Sequence, residues 1–304
     1  MSAPGTSSTR RLTQAPLARQ TAPASSMSCF NGRALSSRRS TTMRERGKNK
    51  GVAISRYSND IQSDNQAMRS QDMPDKEFES LLSACSEVAE LFPDGIVFIG
   101  GIAVYMHATN LEETKEMAEF THDADFYISL AAMADLRDME EVTQNRRLSR
   151  HQMIKRGFDF DIYTERHSSL IVPYDMVAGY SALYEGIRVA SLEHLLVLKL
   201  EAFLNRKGSS KGEKDAKDLL RIGAVAARGG QSFRPELAAP FMRDEHLKLL
   251  ELVYRGPYAT SLAQGNAVQS KRLRGEFSDI ADGIRENIGC DRTTPPPKAP
   301  RHRM

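Results

Sequence analysis

The first sustained periodicity in the chain begins near Asp75, where Phe78, Leu81, Leu82, Cys85, Val88, Ala89 and Phe92 recur at helical spacing and define one apolar face. Pro93-Asp94-Gly95 breaks that helix. Ile96-Val97-Phe98-Ile99 then forms a short, wholly apolar run ended by Gly100-Gly101, the pattern of a buried strand entering a tight turn. After Gly101 the chain can restart as a helix, residues 110–119 are polar, and FTHDADFYISL returns to strand-like alternation. Residues 131–150 read as a helix. From Phe158 to Thr164 the alternation is strict, with Phe158, Phe160 and Ile162 on one face and Asp159, Asp161 and Tyr163 on the other. Residues 168–172 read as a further strand closed by Pro173, and residues 184–189 as a turn followed by a short edge strand.

Beyond Ser191, which is placed to cap a helix, helices dominate: about 192–206, 214–227, 241–254 and a last one after Leu262. Helix, strands, then helices predict an α+β fold with a helical C-terminal half. The ends look different. Residues 1–50 hold ten Lys or Arg against the single acid Glu45 amid Ser, Thr, Ala and Pro, a composition that buries too little apolar surface to fold. The division expected is a disordered basic tail over 1–74, an α/β core over 75–190, a helical region over 191–290, and a disordered proline-rich basic tail over 291–304. The basic tail also has the composition of an organellar transit peptide, and is equally readable as a binding arm or a mis-assigned start.

Charge changes meaning once the ends are set apart. The net charge of +3 is the sum of +9 in residues 1–50, +3 in 291–304 and −9 in 51–290, so the body expected to fold is acidic. Broad nucleic-acid affinity would therefore have to come from the tails or from a local patch. Cys29, Cys85 and Cys290 are odd in number, far apart and without metal-ligand spacing, which argues against a disulfide framework or a zinc site. His107, His122, His151, His167 and His194 have no zinc-like spacing either, and most read as surface residues. No run approaches membrane-spanning length, so a soluble, cytoplasmic protein with no membrane partner is expected.

Candidate chemistry lies in four places. Gly100 and Gly101 end a strand and open a helix, where a missing Cβ permits close approach and the helix start offers N–H groups to phosphate oxygens. Asp123 and Asp125, separated by one residue on a strand, project from one face, and such like charges favour a cation between them, Mg²⁺ or Mn²⁺ for hard oxygen ligands. Asp161, of the Asp159/Asp161 pair, supplies a third carboxylate from another strand, as two-metal phosphoryl transfer requires. Lys199 falls on the apolar stripe formed by Leu192, Leu195, Leu196 and Phe203, where an amine must find an anion: a nucleotide phosphate, or a structural ion pair with Asp215 and Asp218.

The order Gly-Gly, Asp-x-Asp, a later strand Asp and then SLEHLLVLKLEAFLNRKGSSKGEKDAKDLLRI resembles the abortive-infection-type nucleotidyltransferases of the polymerase-beta-like superfamily, over about residues 95–225. The resemblance implies a nucleotidyltransferase-like mixed sheet with flanking helices. It also implies that Gly100 and Gly101 hold the triphosphate, that Asp123, Asp125 and Asp161 are the catalytic and metal-binding acids, and that Lys199, supported by Asp215 or Asp218, contacts nucleotide phosphate. Function would then be transfer of a nucleoside monophosphate from a nucleoside triphosphate to an acceptor hydroxyl on RNA such as tRNA, on protein or on a small molecule. A toxin of a toxin-antitoxin pair, with an antitoxin partner, is among the family's roles. The alternative is a nucleotidyltransferase-like fold kept as a binding or adaptor module for RNA or protein. This chain departs from the family in the polar stretch that separates Gly101 from Asp123.

Overall fold

The computed structural model describes residues 75–147, 149–166, 170–230 and 232–290, so the tails expected over 1–74 and 291–304, together with His167 and Ser168, lie outside the described residues. Helix α1 (Asp75–Leu91) buries Phe78, Leu81, Cys85 and Val88 as its periodicity requires. Strand β1 (Ile96–Ile99) is buried at all four positions. It runs straight into α2 (Gly100–Thr109), and a short α3 (Glu112–Lys115) sits within the polar stretch. Strand β2 (Asp123–Ile128) leads to α4 (Leu130–Met139), capped by the Ser129 hydroxyl.

The segment expected to stay helical to residue 150 instead leaves the helix after Met139 and forms the edge strand β3 (Thr143–Asn145), followed from Arg150 by β4 (Arg150–Lys155). Their sequence is too polar to show a strand period. What fixes them is backbone pairing: β4 lies antiparallel to β5 (Phe158–Thr164) and carries β3 outside it. Leu170 to Val172 form no strand; Pro173 instead opens α5 (Tyr174–Gly179). The turn expected at 184–189 is the tip of a hairpin between β6 (Ala182–Tyr184) and β7 (Ile187–Val189). Glu185 and Gly186 both have positive φ there, as a tight two-residue turn demands. Strand β7 is internal, because it pairs in parallel with β1, and β6 is the edge.

The result is one seven-stranded mixed sheet in the order β3-β4-β5-β2-β1-β7-β6. Strand β2 is antiparallel to β1 and parallel to β5. The helical half comprises α6 (Leu192–Arg206), α7 (Ser210–Arg228), α8 (Pro235–Ala238), a 3₁₀ turn (Ala239–Phe241), α9 (Asp244–Arg255), α10 (Tyr258–Leu262) and α11 (Ala267–Cys290). Ser191 caps α6 by accepting from the His194 N–H, and Ser209 caps α7 four residues earlier than periodicity alone indicates. Helices α6 and α7 pack on each other and against α2, and a single cluster of buried apolar side chains extends from Phe78 to Ile284. Among the described residues no helix is long and apolar enough to cross a membrane.

Several histidines expected at the surface are buried: His107, His151 and His194 are each under 5 % exposed. Their rings serve as packing bodies with polar edges. The His107 ring lies 2.8 Å from the Ala190 carbonyl and 3.1 Å from the Tyr184 hydroxyl. His194 instead sits edge-on between the Tyr180 and Phe241 rings, with both ring nitrogens buried and unpartnered. Burial lowers the His194 imidazole to about 4. A histidine neutral in the fold but ordinary when unfolded binds more protons unfolded between about 4 and 6.5, so stability falls as pH drops through that window. His194→Leu is expected to match or exceed the wild type by about 1 kcal/mol at pH 7 and to widen that margin at pH 5. Denaturant melts at the two pH values check this; a variant that loses more stability at pH 5 than at pH 7 contradicts it.

Candidate active site

Register decides which acids meet. In the parallel pair β2–β5, Asp123 stands opposite Asp159 and Asp125 opposite Asp161, while β1 places Ile99, the residue before Gly100, opposite Asp125. Asp123, Asp125 and Asp161 therefore share the wall of one cleft of about 330 Å³ with Gly100, Arg150, Tyr163, Lys199 and Arg206. Asp159 is exposed and is not part of that lining.

Gly100 has φ +67°, a left-handed conformation that favours glycine, and a Cβ built there would fall 2.2 Å from Asp125 Oδ2. The space left by its missing side chain is thus filled by the Asp125 carboxylate. A Cβ on Gly101 would meet Thr121 at 3.0 Å. The Thr121 hydroxyl in turn donates to Asp123 Oδ1 at 2.8 Å. Both glycines fit the acids and their support closely against the start of α2, whose first N–H groups have no side-chain cap.

Asp125 is half-buried, with its carboxyl packed about by protein. Burial, then the nearby Asp123 and Asp161, pushes it up to about 7, against the opposing pull of Lys199 and Arg150. The Tyr163 hydroxyl lies 3.4 Å from Asp125 Oδ1 and donates to it; burial pushes that phenol up, so it keeps its proton. Asp161 is buried, and both its oxygens are engaged: Oδ1 accepts from Gln152 at 2.9 Å and Oδ2 lies 2.8 Å from Arg150 Nη1.

Lys199 is 8 % exposed on α6 and reaches two acids of α7, Asp218 Oδ2 at 2.6 Å and Asp215 Oδ1 at 3.5 Å. Burial alone would lower its ammonium, but Asp218 and Asp215 together outweigh that and hold it raised. Asp215 also lies 2.9 Å from Arg206, and Asp218 lies 2.8 Å from Arg221, which donates to the Met117 carbonyl. The ion pair weighed for Lys199 from its position is therefore present. The ammonium still lines the cleft and acts on Asp125. Asp215 and Asp218 are placed as its anchors.

Hard oxygen is the donor chemistry of this cleft. Among the described residues no group of three or more His, Cys, Asp or Glu side chains is gathered tightly enough to hold a metal ion alone. Mg²⁺ or Mn²⁺ needs fewer, since one or two carboxylates with water and substrate phosphates suffice. Asp123 and Asp125, on one face of β2 with Asp125 raised by burial and then by like charge, fit that requirement. Asp161 already carries Gln152 on one oxygen and Arg150 on the other, so it would join such a site on its remaining lone pairs or by releasing one of these partners.

Arg150, Gln152 and Arg206 are site residues that pattern reading missed. Arg150 and Gln152 belong to the aperiodic β4 and reach Asp161 only because Gln152 pairs with it across the sheet. Tyr163 carried a signal, since strict alternation already put it on the acid face.

No protein-family model and no curated protein matches this chain. Among solved structures it is similar to an antigenic nucleotidyltransferase-like protein from Paracoccidioides brasiliensis, at 15% identity over 64% of this chain and 94% of that one, with a TM-score of 0.41. A candidate nucleotidyltransferase from H. pylori is similar at 14% identity over 72% and 98%, with a TM-score of 0.40. The Megavirus polyadenylate synthase is similar at 14% identity over 82% and 59%, with a TM-score of 0.37. Similarity at this level gives no residue a role, and the roles rest on this chain's own geometry.

Two outcomes test that geometry. Gly100→Ala is expected to cost about 1–2 kcal/mol from backbone handedness alone and more if Asp125 cannot move; a melt equal to the wild type would refute the close fit. In the metal-free protein the raised Asp125 takes up a proton that the unfolded chain releases, so stability is lost as pH rises from about 4 through 7. Asp125→Asn is accordingly expected to be the more stable form by about 2 kcal/mol at pH 8, with the difference vanishing near pH 4. Urea melts in EDTA across that range supply the measurement.

Proposed function

We propose that this cleft transfers a nucleoside monophosphate from a nucleoside triphosphate to an acceptor hydroxyl, releasing pyrophosphate, in a reaction that depends on Mg²⁺ or Mn²⁺. The observation that carries the reading is the in-register pairing of β2 with β5, which puts Asp125 beside Asp161, with Asp123 on the same face, in a cleft that also holds Gly100, Arg150, Lys199 and Arg206. Three acids alone would repel a triphosphate, and bases alone would bind it without turnover. Their combination suits phosphoryl transfer, whose catalysis is mostly positioning and charge stabilisation.

In this reading the N–H groups of Gly100 and Gly101 donate to phosphate oxygens at the start of α2. Lys199, held by Asp215 and Asp218, opposes charge that develops on the phosphates. Asp123 and Asp125 would hold the cation, which when bound supplies charge neutralisation and polarises the attacking hydroxyl. Asp161 accepts the proton of that hydroxyl as its oxygen bonds to the α-phosphorus and the bond from that phosphorus to the pyrophosphate oxygen breaks. Leu170, Ile171, Leu198 and Ala202 give the cleft an apolar wall suited to a base or sugar face.

A binding module that keeps the fold without the reaction is favoured by one observation: Asp161 and Lys199 are both already paired within the protein. The toxin role rests on the sequence resemblance, and the acceptor is left to assay among RNA, protein and small molecules. Purified protein with Mg²⁺ and each of four labelled triphosphates is expected to release pyrophosphate and label an acceptor in lysate. Asp123→Asn and Asp125→Asn should each lower the rate on the order of 100-fold or more. Absence of both pyrophosphate and label with all four triphosphates would sink the enzyme reading and leave the binding module.

A further inference from the structure

Arg150 differs from Lys199 and Arg206, which line the same cleft, in what it is paired with. Lys199 and Arg206 are held by Asp215 and Asp218 on α7, whereas Arg150 is paired with Asp161, one of the three acids themselves. Its Nη1 also donates to the Tyr163 hydroxyl at 3.4 Å, and that hydroxyl donates onward to Asp125 at the same distance. One guanidinium thus touches Asp161 directly and Asp125 through a single phenol. The pair is only partly enclosed, with the Arg150 side chain 24% exposed and that of Asp161 9%. Within it, Nε of Arg150 is buried without a hydrogen-bond partner, a donor left over after the contacts at Nη1.

We propose that Arg150 is a triphosphate-positioning residue that stands in for the cation before substrate arrives, holding Asp161 until metal and nucleotide enter together, and then moves its fork to the phosphates. This rests on the metal-dependent reading of the cleft. A divalent cation at the acids would repel a guanidinium a few ångströms away, in surroundings where such repulsion is poorly screened. The guanidinium stays charged at any ordinary pH, so it can only move. The anion delivered with the metal is the triphosphate, and the planar fork of arginine matches phosphate oxygens in pairs, with Nε as one tine. Ser149, just before Arg150, has a φ of 51° and also lines the cleft, so the arginine side chain follows directly on a turn of the backbone. The consequence is coupling: metal alone must displace Arg150 with nothing to receive it, and metal with nucleotide need not.

The test is Mn²⁺ binding to the full-length protein, read from the electron paramagnetic resonance of free Mn²⁺, with and without the α,β-methylene analogues of ATP, CTP, GTP and UTP. In Arg150→Ala, Mn²⁺ alone is expected to bind about tenfold tighter or more than in the wild type, because a competing charge is gone. Affinity for the analogue in the presence of Mn²⁺ should fall about tenfold or more. Arg150→Lys, which keeps charge and bulk but lacks the fork, should hold Mn²⁺ alone near wild type and still lose analogue affinity. If Arg150 merely anchors Asp161, Arg150→Ala will bind Mn²⁺ no tighter, or Arg150→Lys will bind the analogue as the wild type does; either result overturns the proposal. Asp123→Asn/Asp125→Asn separates the two levels: Mn²⁺ binding unchanged in that variant means that the metal reading itself has failed.

Discussion

Repulsion among three carboxylates is the constraint around which the cleft is arranged. Parallel pairing of β2 with β5 sets Asp125 beside Asp161, and the two-residue period of β2 adds Asp123 on the same face. Such an arrangement is unfavourable unless positive charge is near, and the fold supplies it from two sides. Arg150 comes from β4, next to the edge of the sheet, and Lys199 comes from α6 in the helical half. Burial of Asp125 sharpens the conflict, because it raises the cost of every uncompensated charge close by.

The helical half is joined to this conflict through Lys199. An amine on the inner face of α6 needs anions, and Asp215 and Asp218 on α7 provide them. Those acids in turn engage Arg206 and Arg221, and Arg221 reaches Met117 and Glu119 in the segment leading to β2. A chain of ion pairs therefore runs from the helices to the approach of the Asp123–Asp125 strand. Breaking one member would leave its partners buried and uncompensated, which is why such networks hold geometry more firmly than they add stability. In the polar stretch between Gly101 and Asp123, Thr114 is fully buried with its hydroxyl on the Ala108 carbonyl, and Thr121 supports Asp123. That segment is part of the site's frame.

Elements with a strong period were legible along the chain. Helix α1, strands β1, β2 and β5 and helix α6 follow from local patterns because one or both of their faces meet the core, and burial writes itself into the order of apolar residues. The acids and Lys199 were legible for the converse reason: charge in a place that periodicity marks as unfavourable needs an explanation. The hairpin β3–β4, the internal place of β7 and the burial of His107, His151 and His194 left no such trace. Short polar strands are held by backbone hydrogen bonds to their neighbours, and a histidine ring has enough apolar surface to pack inside while resembling a surface residue in composition.

The sequence by itself determined which residues carry charge, which faces are apolar, and hence that Gly100, Asp123, Asp125, Asp161 and Lys199 were the groups to watch. Only the tertiary structure decided their partners. It placed Asp125 rather than open space beside Gly100, gave Asp161 to Arg150 and Gln152, and gave Lys199 to Asp218 and Asp215. The reason is physical: period and burial are properties of a segment, whereas Coulomb interaction depends on distances between segments far apart in the chain, and those are set by strand register and helix packing.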